Sequence, residues 1–318
     1  MSLIFYCYFG YPLLVALWAR MSAWPVRKQR IEPSVSVIVS VHNEQGVILK
    51  KIANLLALDY PPEKIEILIG SDGSDDRTAE LVRQVNDRRV RLFDFAQRRG
   101  KMAVLNDLVA EAGHEVMVFT DARQPFERSA VRELVGNLAD PQVGCVSGEL
   151  ILSQKSGATA KGINLYWEYE KFIRAQESKV HSMLGATGAV YAIRRELYTP
   201  IPEHVVLDDM FVPLKIIEHG LRAVFDGSAR AYDEVADSPR EEHRRKARTL
   251  YGNYQIFLLF PSLFVPSRSP VALQFISHKL LRVLAPFFMI VLFFVNLGLV
   301  GIPFYFMMFM LQILFYTY

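Results

Sequence analysis

Between Pro33 and about Ala236, short apolar runs alternate with amphipathic stretches, whereas both ends of the chain are almost continuously apolar. Val35–Val41 (VSVIVSV) reads as a buried strand, because five of its seven residues are Val or Ile. Apolar residues then recur at helical spacing at Ile48, Ile52, Leu55 and Leu56. Ile65–Gly70 predicts a second strand and Thr78–Val85 a second helix. Val90–Phe95, Val116–Thr120 and Val143–Gly148 continue the strand series, with helical stretches between them. Alternation of this kind predicts an α/β fold, a mostly parallel sheet with helices on both faces. Ligands of such sheets bind beyond the carboxyl ends of the strands. After Gly148 the alternation loosens. Ile163–Ser178 predicts an aromatic-rich helix suited to wall a flat ligand. Pro239–Phe260 starts basic (EEHRRKAR) and finishes aromatic, which suits a helix lying on a membrane surface.

The ends change the picture from a soluble domain to an anchored one. No charged residue occurs from Met1 to Ala19, and Arg20, Arg27, Lys28 and Arg30 follow. A spanning helix needs about 20 apolar residues, and Gly10 and Pro12 predict a kink within this one. Positive charge after the apolar run, not before it, predicts an uncleaved anchor with its N-terminus outside. Beyond Lys279 and Arg282 there is no Asp, Glu, Lys or Arg up to Tyr318. As helix that stretch is about 54 Å long, which predicts two spans turning near Asn296, Gly298, Gly301 and Pro303. Basic residues at both ends place the middle in the cytoplasm. The expected division is an anchor over 1–20, a catalytic domain over 33–236, a basic surface segment over 237–281 and two spans over 282–318. A net charge of +3 is too small to suggest nucleic acid. Cys7 and Cys145 offer no disulfide framework.

Four strand ends carry polar clusters: His42–Glu44, Ser71–Asp76, Thr120–Gln124 and Gly148–Leu150. Each alone reads as a turn or helix cap. Gathered at one sheet edge, their carboxylates repel one another unless cations or donor groups balance them.

The succession VSVIVSVHNE, ILIGSDGSDDRT, RRGKMAVLN, VMVFTDA, GATGAVYAIRREL and LDDMFVPLKIIEHG resembles the family 2 glycosyltransferases, membrane-bound branch, from about Pro33 to Gln255. The resemblance implies a GT-A (Rossmann-like) fold and transfer, with inversion, from a nucleotide-diphosphate sugar, expected to be a UDP-sugar. It implies a lipid-linked or membrane-presented acceptor, no nucleic acid, and an integral membrane protein whose catalytic domain faces the cytoplasm of a bacterium. Self-association stays open. Glu44 and Asp72 match positions at the nucleobase and ribose, where carboxylates accept N–H and O–H groups. Lys101 matches a cation near the phosphates, or is a solvated lysine at a helix start. Asp121 matches the first Asp of the DxD motif that holds a divalent cation, Mg2+ or Mn2+. Arg123 replaces the second, so either Asp121 holds a weakened metal site with water and phosphate oxygens, the reading preferred, or Arg123 clamps the diphosphate itself. Asp208 and Asp209 match the acidic pair whose second member is the base, although either is also a good N-cap. Arg248 stands nearest to the Arg of the QxxRW motif, with Thr249 in place of its Trp. Arg245 is the other candidate, and a plain membrane-surface role for this stretch is equally open. A processive polysaccharide synthase shares these motifs. The missing carboxylate also leaves room for an inactive membrane-bound sensor or scaffold.

Overall fold

The computed structural model describes residues 2–152, 158–233 and 239–317. They divide into two compact units, Trp18–Leu259 and Met1–Leu17 with Phe260–Tyr318. The expected boundary at 236/237 lies outside the described residues.

The larger unit is built on strands β1 (Val35–Val41), β2 (Ile65–Asp72), β3 (Val90–Phe95), β4 (Val116–Phe119), β5 (Val143–Leu152), β6 (Tyr191–Arg194) and β7 (Arg222–Asp233). Their order across the sheet is β3-β2-β1-β4-β6-β5-β7. β1 runs parallel to β2 and β4, β2 to β3, and β5 to β7. β6 alone is antiparallel to both its neighbours. The sheet is therefore mostly parallel, as the alternation predicts. The last two strands were not foreseen: β6 is only four residues long, and β7 (RAVFDGSARAYD) mixes charge and glycine into its second half. β5 also continues past Gly148 to Leu152, paired with Arg230–Asp233.

One face of the sheet turns Val35, Val37, Val39 and Val41 toward Ile48, Ile52 and Leu55 of α2 (Ile48–Leu56) and toward Val131, Leu134 and Val135 of α5 (Ala130–Asn137). Helix α4 (Lys101–Glu111) covers β1 and β2. Central parallel strands buried on both sides explain the unbroken Val/Ile runs. The Thr78–Arg83 helix (α3) is six residues long, less than two turns, and α6 (Ala158–Val180) extends beyond the aromatic stretch at both ends. The remaining helices of this unit are α7 (Asp208–Glu218) and α8 (Pro239–Leu259). The side chains of 158–164 and 239–242 are outside the description.

A buried arginine ties the N-terminal linker to this body. The Arg222 guanidinium, 1% exposed, donates from Nε to His181 O (2.9 Å) and from Nη2 to Ser178 O and Trp24 O (both 2.8 Å), and stacks on the Trp24 ring. Burial lowers its pKa and Asp140 opposes the shift. Replacing it by Ala strands three carbonyls that a charged donor served. Arg222→Ala is expected to cost about 3 kcal/mol, read as a lower midpoint of thermal unfolding in detergent; an unchanged midpoint would contradict this account.

In the smaller unit, α1 (Ser2–Met21, ending in the larger unit) and α9 (Ala272–Gly298) are long and apolar enough to cross a membrane. α10 (Pro303–Thr317) has 15 residues, about 22 Å of helix, short of the ~30 Å of a hydrocarbon core. The stretch expected to hold two spans, 282–318, thus contains α10 and the later part of α9, which begins at Ala272. Asn296 Nδ2 donates to Gln312 Oε1 (2.9 Å), and Gln312 Nε2 donates to Met289 O (3.0 Å). Beyond Arg282, these two amide side chains are spent on each other and on backbone. Cys7 and Cys145 are both free.

Candidate active site

Parallel register puts Val41, Asp72 and Phe119 at one edge of the sheet, and antiparallel β6 brings Tyr191 opposite Phe119. The turns after β1, β2 and β4 and the Gly185–Val190 turn before β6 therefore share that edge.

Most polar groups of the first two clusters lock these turns together. Asn43 Nδ2 donates to Asp75 Oδ1 (2.5 Å) and the Asp75 amide returns a bond to Asn43 Oδ1 (3.0 Å). The Gln45 amide donates to Asp76 Oδ2 (3.1 Å), and the Glu44 amide to Thr78 Oγ1 (2.9 Å). These are the turn-and-cap roles that such residues serve by default. Asp72 is similarly engaged. Its two carboxylate oxygens accept from the amides of Arg99 (2.6 Å) and Gly100 (2.9 Å), and it is 4% exposed. Gly100 takes φ +94°, left-handed backbone that favours glycine, and α4 starts at the next residue. What Asp72 visibly does is fix the turn that launches Lys101.

Lys101 is the centre of the site. Its ammonium lies 3.2 Å from Asp121 Oδ1 and 3.2 Å from Asp208 Oδ2. Burial lowers the ammonium pKa, and Asp208, Asp121 and Asp209 together outweigh it, so the net shift is upward and the lysine stays charged. Asp208 is buried and Asp209 half-buried at the first turn of α7, and the Asp209 carbonyl accepts from the Ala186 amide (2.7 Å), joining the acidic pair to the turn before β6. Beneath them Phe119 stacks on Tyr191 and Tyr198. Burial first, and Asp208 second, push both phenols up.

Arg123 turns away from this group. Its Nε donates to both oxygens of Glu44 (3.0 and 3.2 Å) and its side chain is 62% exposed. Glu44, expected at the nucleobase and ribose, and Arg123, expected near the diphosphate, are thus paired. Arg248 Nη2 donates to Val206 O (3.3 Å), two residues before Asp208. Arg245 lies exposed one turn before Thr249, whose hydroxyl donates to the Arg245 carbonyl.

The resemblance implies a divalent cation at Asp121. Among the described residues no three His, Cys, Asp or Glu side chains converge to hold one. Asp121 gives one oxygen to Lys101, and its side chain is 44% exposed. This donor set fits a hard cation that keeps mostly water and phosphate oxygens, not one caged by protein.

Lys51 was not foreseen. It is 2% exposed, donates to Thr120 Oγ1 (2.7 Å) and Gln124 O (2.5 Å), and sits over the Phe126 ring. Burial pulls its pKa down to about 7, opposed by Asp121. It pins the turn carrying Asp121 and Arg123. Its place three residues after Ile48, on the apolar face of the helix, was the available signal.

The profile of Glycosyl transferase family 2 matches residues 36–200, and that of Glycosyl transferase family group 2 matches residues 121–318. The probable glycosyltransferase YdaM of Bacillus subtilis (strain 168) is 24% identical over 247 residues, 73% of this chain and 58% of that protein. The poly-beta-1,6-N-acetyl-D-glucosamine synthase of Staphylococcus aureus (strain MW2) is 25% identical over 237 residues, 70% of this chain and 55% of its own. The chain thus spans little more than half the length of these curated relatives. Among solved structures, the mannosyltransferase PcManGT from Pyrobaculum calidifontis, in complex with GDP-Man and Mn2+, superposes with a TM-score of 0.71 at 24% identity, covering 97% of this chain and 93% of that one. TarS 1-349 of S. aureus, in complex with UDP-GlcNAc, gives 0.50 at 16% identity, covering 64% and 59%. At these identities the likeness establishes the GT-A fold.

Proposed function

The chain belongs to glycosyl transferase family 2, and on that premise we propose that it moves a sugar from a UDP-sugar to a lipid-linked or membrane-presented saccharide, with inversion, at the cytoplasmic face of a bacterial plasma membrane. The observation that carries this reading is Lys101 held between Asp121 and Asp208, with Asp209 adjoining, at the carboxyl edge of the sheet. Asp209 accepts the proton of the acceptor hydroxyl as that oxygen bonds to the anomeric carbon. The bond from that carbon to the diphosphate breaks on the opposite side, which inverts the centre. Negative charge growing on the departing diphosphate is met by Lys101. A Mg2+ or Mn2+ ion held by Asp121 and the donor's own phosphates would supply further positive charge there. Glu44 with Arg123, and Asp72 beneath Gly100, would border the nucleoside end.

The membrane acceptor is supported by the two helices long and apolar enough to span, α1 and α9. Addition of one sugar, or very few, is supported by the pairing of Asn296 with Gln312, which occupies the two amide side chains of the uncharged stretch after Arg282, where a growing polar chain would need a lined path.

The test supplies detergent-purified protein with a panel of UDP- and GDP-sugars, Mn2+ and a membrane lipid extract, and reads donor consumption and product mass. Consumption of one UDP-sugar with a single hexose-sized increment is expected. Consumption of a GDP-sugar alone would overturn the donor class. A ladder of long chains would establish the processive synthase, and no consumption of any donor the sensor or scaffold.

A further inference from the structure

The turn that follows β4 carries Asp121 and Arg123, and both its ends are anchored. The Thr120 amide donates to Ile38 O of β1 (3.2 Å), and the Tyr232 amide of β7 donates to Pro125 O (2.9 Å). Asn54 of α2 holds the far end by a reciprocal pair. Its Nδ2 donates to Phe126 O and the Phe126 amide donates to its Oδ1, both at 2.8 Å. Between these anchors the amides of Asp121, Ala122 and Arg123 make no hydrogen bond among the described residues. One side chain closes the gap. Lys51, three residues before Asn54 on the same helix, donates to Thr120 Oγ1 (2.7 Å) and to Gln124 O (2.5 Å), and so ties the neck of the turn. Out of that turn Asp121 reaches Lys101 and Arg123 reaches Glu44. The spacing of those two contacts is therefore set from behind.

The fold itself gains little from a lysine at this place. Lys51 lies on the helix face that buries Ile48, Ile52 and Leu55. Burying an ammonium gives up its hydration, and burial is the largest influence on its pKa. An apolar side chain of similar volume in place of a buried charge is often neutral or stabilising. Methionine would serve the core here at least as well, so the lysine answers to the turn and not to the core.

We propose that Lys51 is a positioning residue for the donor: by tying Thr120 to Gln124 it fixes where Asp121 and the Arg123–Glu44 pair meet the nucleotide. The link to the nucleotide rests on the glycosyltransferase reading above. The tie across the neck is read without any nucleotide, so the two ideas fail separately.

The experiment compares the parent chain, Lys51→Met and Asn54→Ala in detergent. It measures the rate at which trypsin cuts after Arg123, identified by fragment mass, the Kd for UDP and for GDP with Mn2+ present, and the midpoint of thermal unfolding. Lys51→Met keeps most of the stem and loses both donors. Its cut after Arg123 should be at least about tenfold faster than in the parent, because the turn opens more often. Its Kd for whichever nucleotide the parent binds more tightly should rise about tenfold, since the site is no longer held in its binding form. Its midpoint should not fall. Asn54→Ala strands the Phe126 amide, so its midpoint should fall while the Kd stays that of the parent. Equal cutting after Arg123 in the parent and Lys51→Met overturns the tie across the neck. Faster cutting with an unchanged Kd overturns the positioning role, and so does a Kd that rises as much in Asn54→Ala as in Lys51→Met. A parent that binds neither nucleotide overturns the glycosyltransferase reading instead, and the cutting rate still decides the neck.

Discussion

Asp209→Asn is expected to lower turnover by about a hundred- to ten-thousand-fold, the range of general-base contributions, with donor binding largely unchanged. An amide cannot accept the acceptor's proton, yet it keeps the size of the carboxylate and leaves the backbone bond from the Ala186 amide to the Asp209 carbonyl in place. The two members of the pair are unequal in this fold. Asp208 is 4% exposed and lies against the Lys101 ammonium, so its charge is committed to holding that cation. Asp209 is half-buried and sits beside the turn before β6, where an acceptor can reach it. Asp208→Asn should therefore act on the donor side, weakening donor binding more than it lowers turnover. Measuring donor affinity and turnover for both variants separates the roles. Loss of turnover with Asp208→Asn, alongside an active Asp209→Asn, would reverse the assignment within the pair.

The first half of the sheet was legible because buried parallel strands leave unbroken runs of Val and Ile, as in β1 and β2. β6 and β7 were not, for different reasons. β6 has only YAIR to show, and its burial comes from lying between β4 and β5, a tertiary fact with no local pattern. β7 alternates imperfectly because its second half, GSARAYD, pairs with the extension of β5 that was also missed. In the site, residue types at strand ends were readable, but what they bind was not. Asp72 and Arg123 illustrate this. Both are polar groups at strand ends, and the structure gives one to the backbone of Arg99 and Gly100 and the other to Glu44. Lys51 escaped notice because a lysine on an apolar face has no partner that spacing alone can name. Its acceptors, Thr120 and the Gln124 carbonyl, come from a turn about seventy residues further along the chain.

Lys101→Met is expected to weaken donor binding and to lower transfer by about a hundred- to a thousandfold, the loss seen when a positioned charge-stabilising group is removed. Methionine keeps most of the length and apolar stem, so the packing at the start of α4 should survive. What disappears is the cation between Asp121 and Asp208, and with it the balance for three carboxylates, Asp209 included. Left together, like charges disfavour one another, and one carboxyl of the group should take up a proton more readily than in the parent protein. A dianionic diphosphate then meets a site with less positive charge, so the donor Kd rises. The same change frees oxygens of Asp121 and Asp208 for a hard cation. Mn2+ should bind the nucleotide-free variant more tightly than it binds the parent, which is read directly from the electron paramagnetic resonance signal of the free ion. Lys101→Arg keeps the charge but spreads it over a planar fork that does not fit a point between two carboxylates, so it should recover only part of the activity. Unchanged donor affinity together with unchanged Mn2+ affinity in Lys101→Met would mean that Lys101 neither balances the carboxylates nor meets the diphosphate.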